Sequence, residues 1–433
     1  MLPPAVLIAD YAGTLEVLDR SEVRARATKP LSSTQDLTFG VDMFTQPLVR
    51  ANVRDRHWEY VLGYMPSLTL LDLENGYNSQ NLQLLNVGTV SVGWRDRGVR
   101  VVVSEEATYG TYNSVAQPAQ SAQSGQAAGQ AAGQAANPGT TPTTATATSP
   151  ILLTPQTITF LSTRTLGTIT SQIDTRTLFS VDGGYVWSGG LGAASRAVVP
   201  QQYGPRADVS FAYTMTRRDQ FVSSAYAQVT QFTDALCAAS VASDAAVVPP
   251  AAVINTLCSP QDQIGQVNVG VRHGVSASTS FEIDGGAAAA RTRVDRGAPY
   301  DVKGFPSGRV AVTHRTGKGG HLTFELSAQL SPLIDPRTGL VSNFAQGQLS
   351  LTDPLTNIVT LHSALTGAQT VPTDAPLAVG VVSGTVEMTL RLDRQVDLGI
   401  GGSSAWQMQK SLGSFFFAYG YLAVTVHAPA LRF

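Results

Sequence analysis

The stretch from Asp36 to Arg54, DLTFGVDMFTQPLVRANVR, alternates apolar and polar residues over nearly its whole length. Leu37, Phe39, Val41, Met43, Val49, Ala51 and Val53 fall on one side, and Thr38, Asp42, Gln46, Arg50, Asn52 and Arg54 on the other. A period of two is the spacing at which side chains leave opposite faces of a β-strand. The next segment repeats it: Trp58, Tyr60, Leu62, Tyr64, Leu68 and Leu70 alternate with His57, Glu59, Gly63, Ser67 and Thr69. The runs from Ala207 to Met215, Leu322 to Leu330 and Val382 to Leu392 read the same way.

Carried along the chain, this pattern predicts strands near 15–27, 36–54, 57–73, 81–97, 99–112, 163–175, 177–189, 206–218, 220–232, 264–276, 279–293, 306–316, 321–332, 340–352, 357–369, 380–393, 395–409 and 415–428. The total is about eighteen, an even number. Links from even to odd strands are tight turns, such as Arg95-Asp96-Arg97-Gly98, Asp174-Thr175-Arg176, Arg217-Arg218-Asp219, Gly317-Lys318-Gly319-Gly320 and Asp393-Arg394. Links from odd to even strands are mostly longer. Short turns at one rim and long loops at the other are the mark of a transmembrane barrel, whereas a soluble sandwich has no reason to obey that alternation. The expected fold is therefore all-β, a transmembrane antiparallel up-and-down barrel in the bacterial outer membrane. Residues 1–14 form an N-terminal extension and 15–433 the barrel. A low-complexity extracellular loop falls at 113–162, and a loop at 233–263 carries both cysteines.

Composition agrees. Only 14% of the 433 residues are charged, against about 25% in ordinary soluble proteins, and no run of apolar residues is long enough for a membrane-spanning helix. The net charge of −2 leaves no positive excess to hold nucleic acid. An eighteen-stranded barrel is too wide for side chains to fill, so its interior is wet and polar while its outer face meets lipid. The polar side of the strands supplies the expected lumen-lining residues: Asp42, Arg50, Glu59, Arg100, Glu106, Asp182, Asp208, Arg272, Glu282, Arg309, Glu325, Glu387 and Arg391. Trp58, Tyr60, Tyr64, Tyr185, Trp187, Tyr213, Tyr419 and Tyr421 are expected on or near the outer face, where amphipathic rings favour the membrane boundary.

Chemistry-bearing motifs are scarce. The six histidines show no HExxH or other paired ligand spacing, there is no G-x-S-x-G elbow, and Gly317-Lys318-Gly319-Gly320 lacks the pattern of a phosphate loop. Neither an enzyme nor a cofactor or metal site is expected. Glu282 and Asp284 are explained by a hydrated pore wall. Cys237 and Cys258 either close a loop of about 20 residues as a disulfide, worth about 3 kcal/mol, or remain two free thiols. Met1 to Gly13 has an apolar patch but lacks the charged and apolar regions of a signal peptide.

The final strand runs into Pro429 and ends at Phe433. A terminal aromatic of this kind resembles the signal read by the barrel-assembly machinery. Pro66 to Leu70 (PSLTL), Asn86 to Arg95 (NVGTVSVGWR), Glu105 to Tyr112 (EEATYGTY), Ser327 to Asp335 (SAQLSPLID) and Ala428 to Phe433 (APALRF) are similar to segments of large myxobacterial outer-membrane barrels of the Wzp type. That resemblance implies an eighteen-stranded barrel exporting a secreted polysaccharide, acting with a periplasmic polysaccharide-export protein. The barrel follows from the residues, and the polysaccharide chain as cargo follows from the resemblance. A general diffusion porin and an adhesive surface protein are the other classes the sequence allows.

Overall fold

The computed structural model describes residues 12–29, 37–73, 81–113, 157–233, 235–236, 257–294, 297–316, 322–334, 341–371, 378–409 and 413–432. Within them are eighteen long strands: β1 Ala12–Lys29, β2 Thr38–Arg54, β3 Trp58–Leu70, β4 Leu82–Asp96, β5 Val99–Asn113, β6 Thr157–Gln172, β7 Thr177–Gly190, β8 Gln201–Thr214 and β9 Asp219–Thr233, followed by β10 Gln261–Gly274, β11 Thr279–Arg293, β12 Asp301–Thr316, β13 Leu322–Ile334, β14 Val341–Asp353, β15 Val359–Val371, β16 Val379–Arg391, β17 Val396–Gln409 and β18 Gly413–His427. Each pairs antiparallel with its neighbours in sequence, and β1 pairs with both β2 and β18. The sheet is therefore closed, and every long strand has a bonded neighbour on each side over most of its length. At 13 to 18 residues the strands exceed the roughly 9–11 needed to cross hydrocarbon, so they project beyond it.

Two faces separate, with Asp19 and Glu105 as charged exceptions on the convex one. Directly paired residues share a face, and one such row runs Trp58, Trp94, Val101, Ile169, Val181, Val209, Ala225, Val267, Ala287, Pro306 around ten consecutive strands. Apolar side chains on this face stand open, Phe39 at 73% and Leu422 at 64% exposure. The other face holds buried charges, among them Glu22, Arg24, Asp42, Asp208 and Glu282. It is the concave face, because Arg20 on β1 reaches Glu387 on β16, three strands away, at 3.1 Å. A chord of that kind crosses only the inside of a curved wall. The molecule is thus apolar outside and polar inside, the arrangement required by lipid.

The short links are built alike. Asp55 Oδ1 accepts the N–H groups of His57 and Trp58 at 2.7 and 2.6 Å. Asp174 does the same for Arg176 and Thr177, and Asp393 for Gln395 and Val396. The hydroxyls of Thr216, Ser276 and Thr356 play this part in three further turns. Between β4 and β5 the device differs: Arg97 and Gly98 both have positive φ, the two-residue form whose twist matches the flanking strands. These N–H bonds hold the Asp55 and Asp174 carboxyls below the usual carboxylate range. A group depressed in the folded state stabilises the fold above its unfolded pKa, and that contribution is lost as pH falls through the depressed value. The protection of the Arg176 and Thr177 amides, taken against the intrinsic exchange rate at each pH, is accordingly expected to fall on strong acidification, and Asp174→Ala to show low protection already at neutral pH. Equal protection in both proteins would count against the turn device.

Some expectations need correction. The first strand begins at Ala12, inside the expected extension, because its pairing with β2 continues to Arg54. β6 begins at Thr157, within the expected loop 113–162, and a short helix, α1 (Ala193–Val198), stands in the β7–β8 link. β8 and β12 start five residues earlier than expected, so that Pro205, expected before its strand, and Pro306, expected as the first residue of its strand, both lie inside. In the cysteine loop, Ala235–Leu236 pair with Leu257–Cys258, and Cys258 is disulfide-bonded. Cys237 lies outside the described residues, as does Phe433. After His427, Leu431–Arg432 pair with β1 one residue out of step, a slip placed at Pro429.

Candidate pore interior

All thirteen acidic and basic residues expected on the polar side stand on the concave face. Asp42 lies opposite Arg24 and accepts from Arg26 at 2.8 and 3.3 Å. Arg50 pairs across from Glu16 and Gly63. Arg100 donates to Glu59 at 3.3 Å, passing over β4. Glu106 faces Arg164, and Asp182 and Asp208 are direct cross-strand neighbours, with Thr168 donating to Asp182. Arg272 holds Glu282 through two bonds at 2.8 and 2.6 Å, with Arg309 at 3.7 Å from the second oxygen. Glu387 binds Arg20, Arg391 lies 3.7 Å from Asp397, and Glu325 is exposed beside Thr313 and Ser350.

The densest part of this wall lies at the seam. Glu22 sits between Arg20 and Arg24, accepting from them at 2.6 and 2.7 Å, and its side chain is 1% exposed. Arg24 packs its guanidinium 4.0 Å over the Phe44 ring and 5.2 Å over Tyr419. Tyr421 donates to Glu387 at 2.7 Å. It reaches that far because it lies across Gly401 of β17, where a Cβ would fall 2.6 Å from its ring. Tyr419 and Tyr421, expected on the outer face, therefore point inward, and Phe416, Ala418, Gly420 and Leu422 take the lipid side. The other six expected outer aromatics do face outward, among them Trp58 and Tyr60, whose rings stack at 6.2 Å. Arg20, Glu22, Arg24 and Arg26 are inner-wall residues beyond the expected set. Their signal is plain in the sequence, where Arg20-Ser-Glu-Val-Arg-Ala-Arg26 alternates without a break.

Crowding on the inner face is graded. Toward the long-loop rim its residues are buried: Thr28, Phe44, Thr69, Gln83, Ile158, Phe232, Asp262, Phe344, Val379, Gln407 and Phe417. Toward the turn rim they open, with Glu59 and Arg100 partly exposed and Arg54, Arg95 and Arg391 fully so. Inner-face side chains are thus more crowded toward the long-loop rim than toward the turns. Among the described residues no three His, Cys, Asp or Glu side chains converge as metal ligands. Much of this wall pairs acidic with basic side chains, most densely at the seam and at Glu282.

Comparison with known proteins places this geometry. A family model described as the EpsX exopolysaccharide export family matches residues 8–420. No curated protein matches the sequence. Among solved structures, Pseudomonas aeruginosa OpdQ is similar at 10% identity and a TM-score of 0.45, over 97% of this chain and 98% of that one. A BenF-like porin from Pseudomonas fluorescens Pf-5 gives the same identity and TM-score over 96% and 99%. The chain belongs to the EpsX exopolysaccharide export family and forms a barrel channel of the bacterial outer membrane.

Proposed function

We propose that this channel carries a secreted polysaccharide outward across the outer membrane, without chemical conversion of the chain. The observation that carries the reading, beside the family match, is the self-pairing of the inner wall. Acidic and basic side chains neutralise one another along the seam and across β10–β12, so the wall offers many weak polar contacts and little net field. A hydrated sugar polymer needs that surface, because each contact must form and release many times as it slides. The less crowded end of the inner wall lies at the turns, which in outer-membrane barrels face the periplasm. On this reading a periplasmic polysaccharide-export protein delivers the chain there, and the barrel-assembly machinery inserts the protein into the lipid.

Deletion of the gene tests it. Loss of most surface polysaccharide is expected, with uptake of small solutes unchanged. Normal surface polysaccharide together with slowed solute uptake would instead make the protein a general diffusion porin.

A further inference from the structure

The cations of the turn rim are arranged unlike those of the inner wall. Arg56, Arg97, Arg176, Arg217, Arg218 and Arg394 occupy five of the short links, and all six side chains are exposed. Most of the carboxylates beside them are engaged, Asp96 next to Arg97 excepted. Asp55, Asp174 and Asp393 each close their own turn, and Asp219 accepts from Thr216 and lies 2.6 Å from His273. None of the six guanidinium groups is within ion-pair distance of a carboxylate among the described residues. Capping turns these carboxylates toward backbone N–H groups, so they stay ionised but form no ion pair with the exposed guanidinium groups, whose donors remain available to a ligand.

Height then says what these arginines meet. On the outer face Trp58 follows Arg56 by two residues, Trp94 precedes Arg97 by three, and Tyr213 precedes Arg217 by four. Indole and phenol rings settle at the boundary between acyl chains and headgroups. A few residues more, at about 3.3 Å each, bring a guanidinium to the level of the phosphates. Its planar fork of donors suits phosphate oxygens. The six are also dispersed around the rim, from the β2–β3 turn to the β8–β9 turn and again at β16–β17, which suits many small ligands better than one docked macromolecule.

We infer that the turn rim is a binding surface for anionic phospholipid headgroups in the adjoining leaflet. The inference is independent of the cargo. It is tested on the purified full-length barrel by native mass spectrometry after equilibration with phosphatidylglycerol and phosphatidylcholine. The protein is expected to retain phosphatidylglycerol in preference. Since each basic residue near an anionic surface contributes about fivefold, the combined variant R97Q/R176Q/R217Q/R218Q should lose more than tenfold of that preference. Its heat-dependent gel mobility shift would show that it still folds. Salt gives a second measure without mutation: at 1 M, where screening acts within about 3 Å, the preference of the unaltered protein should vanish. No preference in the unaltered protein, or the same preference in the variant, would overturn the inference. So would an intact lipid preference in a variant that had lost binding to an acidic periplasmic protein, which would assign the surface to that protein.

Discussion

Val386→Arg is expected to destabilise the barrel by about 2–4 kcal/mol, whereas Thr385→Arg, one residue away, should change stability by less than about 1 kcal/mol. Both positions lie near the middle of β16. Val386 pairs with Ser363 and Gly402 on the convex face and is 53% exposed, so a guanidinium there would enter hydrocarbon. Thr385 pairs with Ala364 and Ser403 on the concave face, two residues from Glu387, so the same group would find water and a carboxylate. Reversible urea unfolding in lipid vesicles measures the difference. Similar losses at the two sites would mean that the faces have been assigned wrongly.

A second large effect is expected at the seam. Glu22→Ala removes the carboxylate lodged between Arg20 and Arg24, both of which are drawn close to it in a crowded part of the wall. Breaking a buried pair by deleting one partner typically costs about 3–5 kcal/mol, and the loss here is expected toward the lower end because Arg20 keeps Glu387. Glu22→Gln, which keeps an acceptor in place, should lose clearly less. The urea midpoint and the temperature at which the heat-dependent gel shift occurs both report it. An unaffected Glu22→Ala protein would show that the guanidinium groups are satisfied without this carboxylate.

Strand order and face were legible because a period of two survives in nearly every segment. The Gly/Ala-rich run from 279 to 293 matches β11 end to end. The early starts of β8 and β12 were not legible, because residues 204–205 and 301–307 pair with one neighbour only, a stretch that accommodates Pro205 and Pro306. The inner and outer sides of β18 were harder, since Phe415, Phe416 and Phe417 put aromatic residues on both parities. What no pattern carries is the chord from Arg20 to Glu387. It joins residues 367 positions apart and exists only once the sheet has curled and closed.

Closure through β1 and β18 also has a bearing on how the protein comes into being. The first strand waits for the last, so a chain cut short of residue 413 leaves two raw edges with unanswered N–H and C=O groups. Hydrocarbon cannot satisfy them. The seam therefore makes a stable place in the bilayer depend on the last strand as much as on the first.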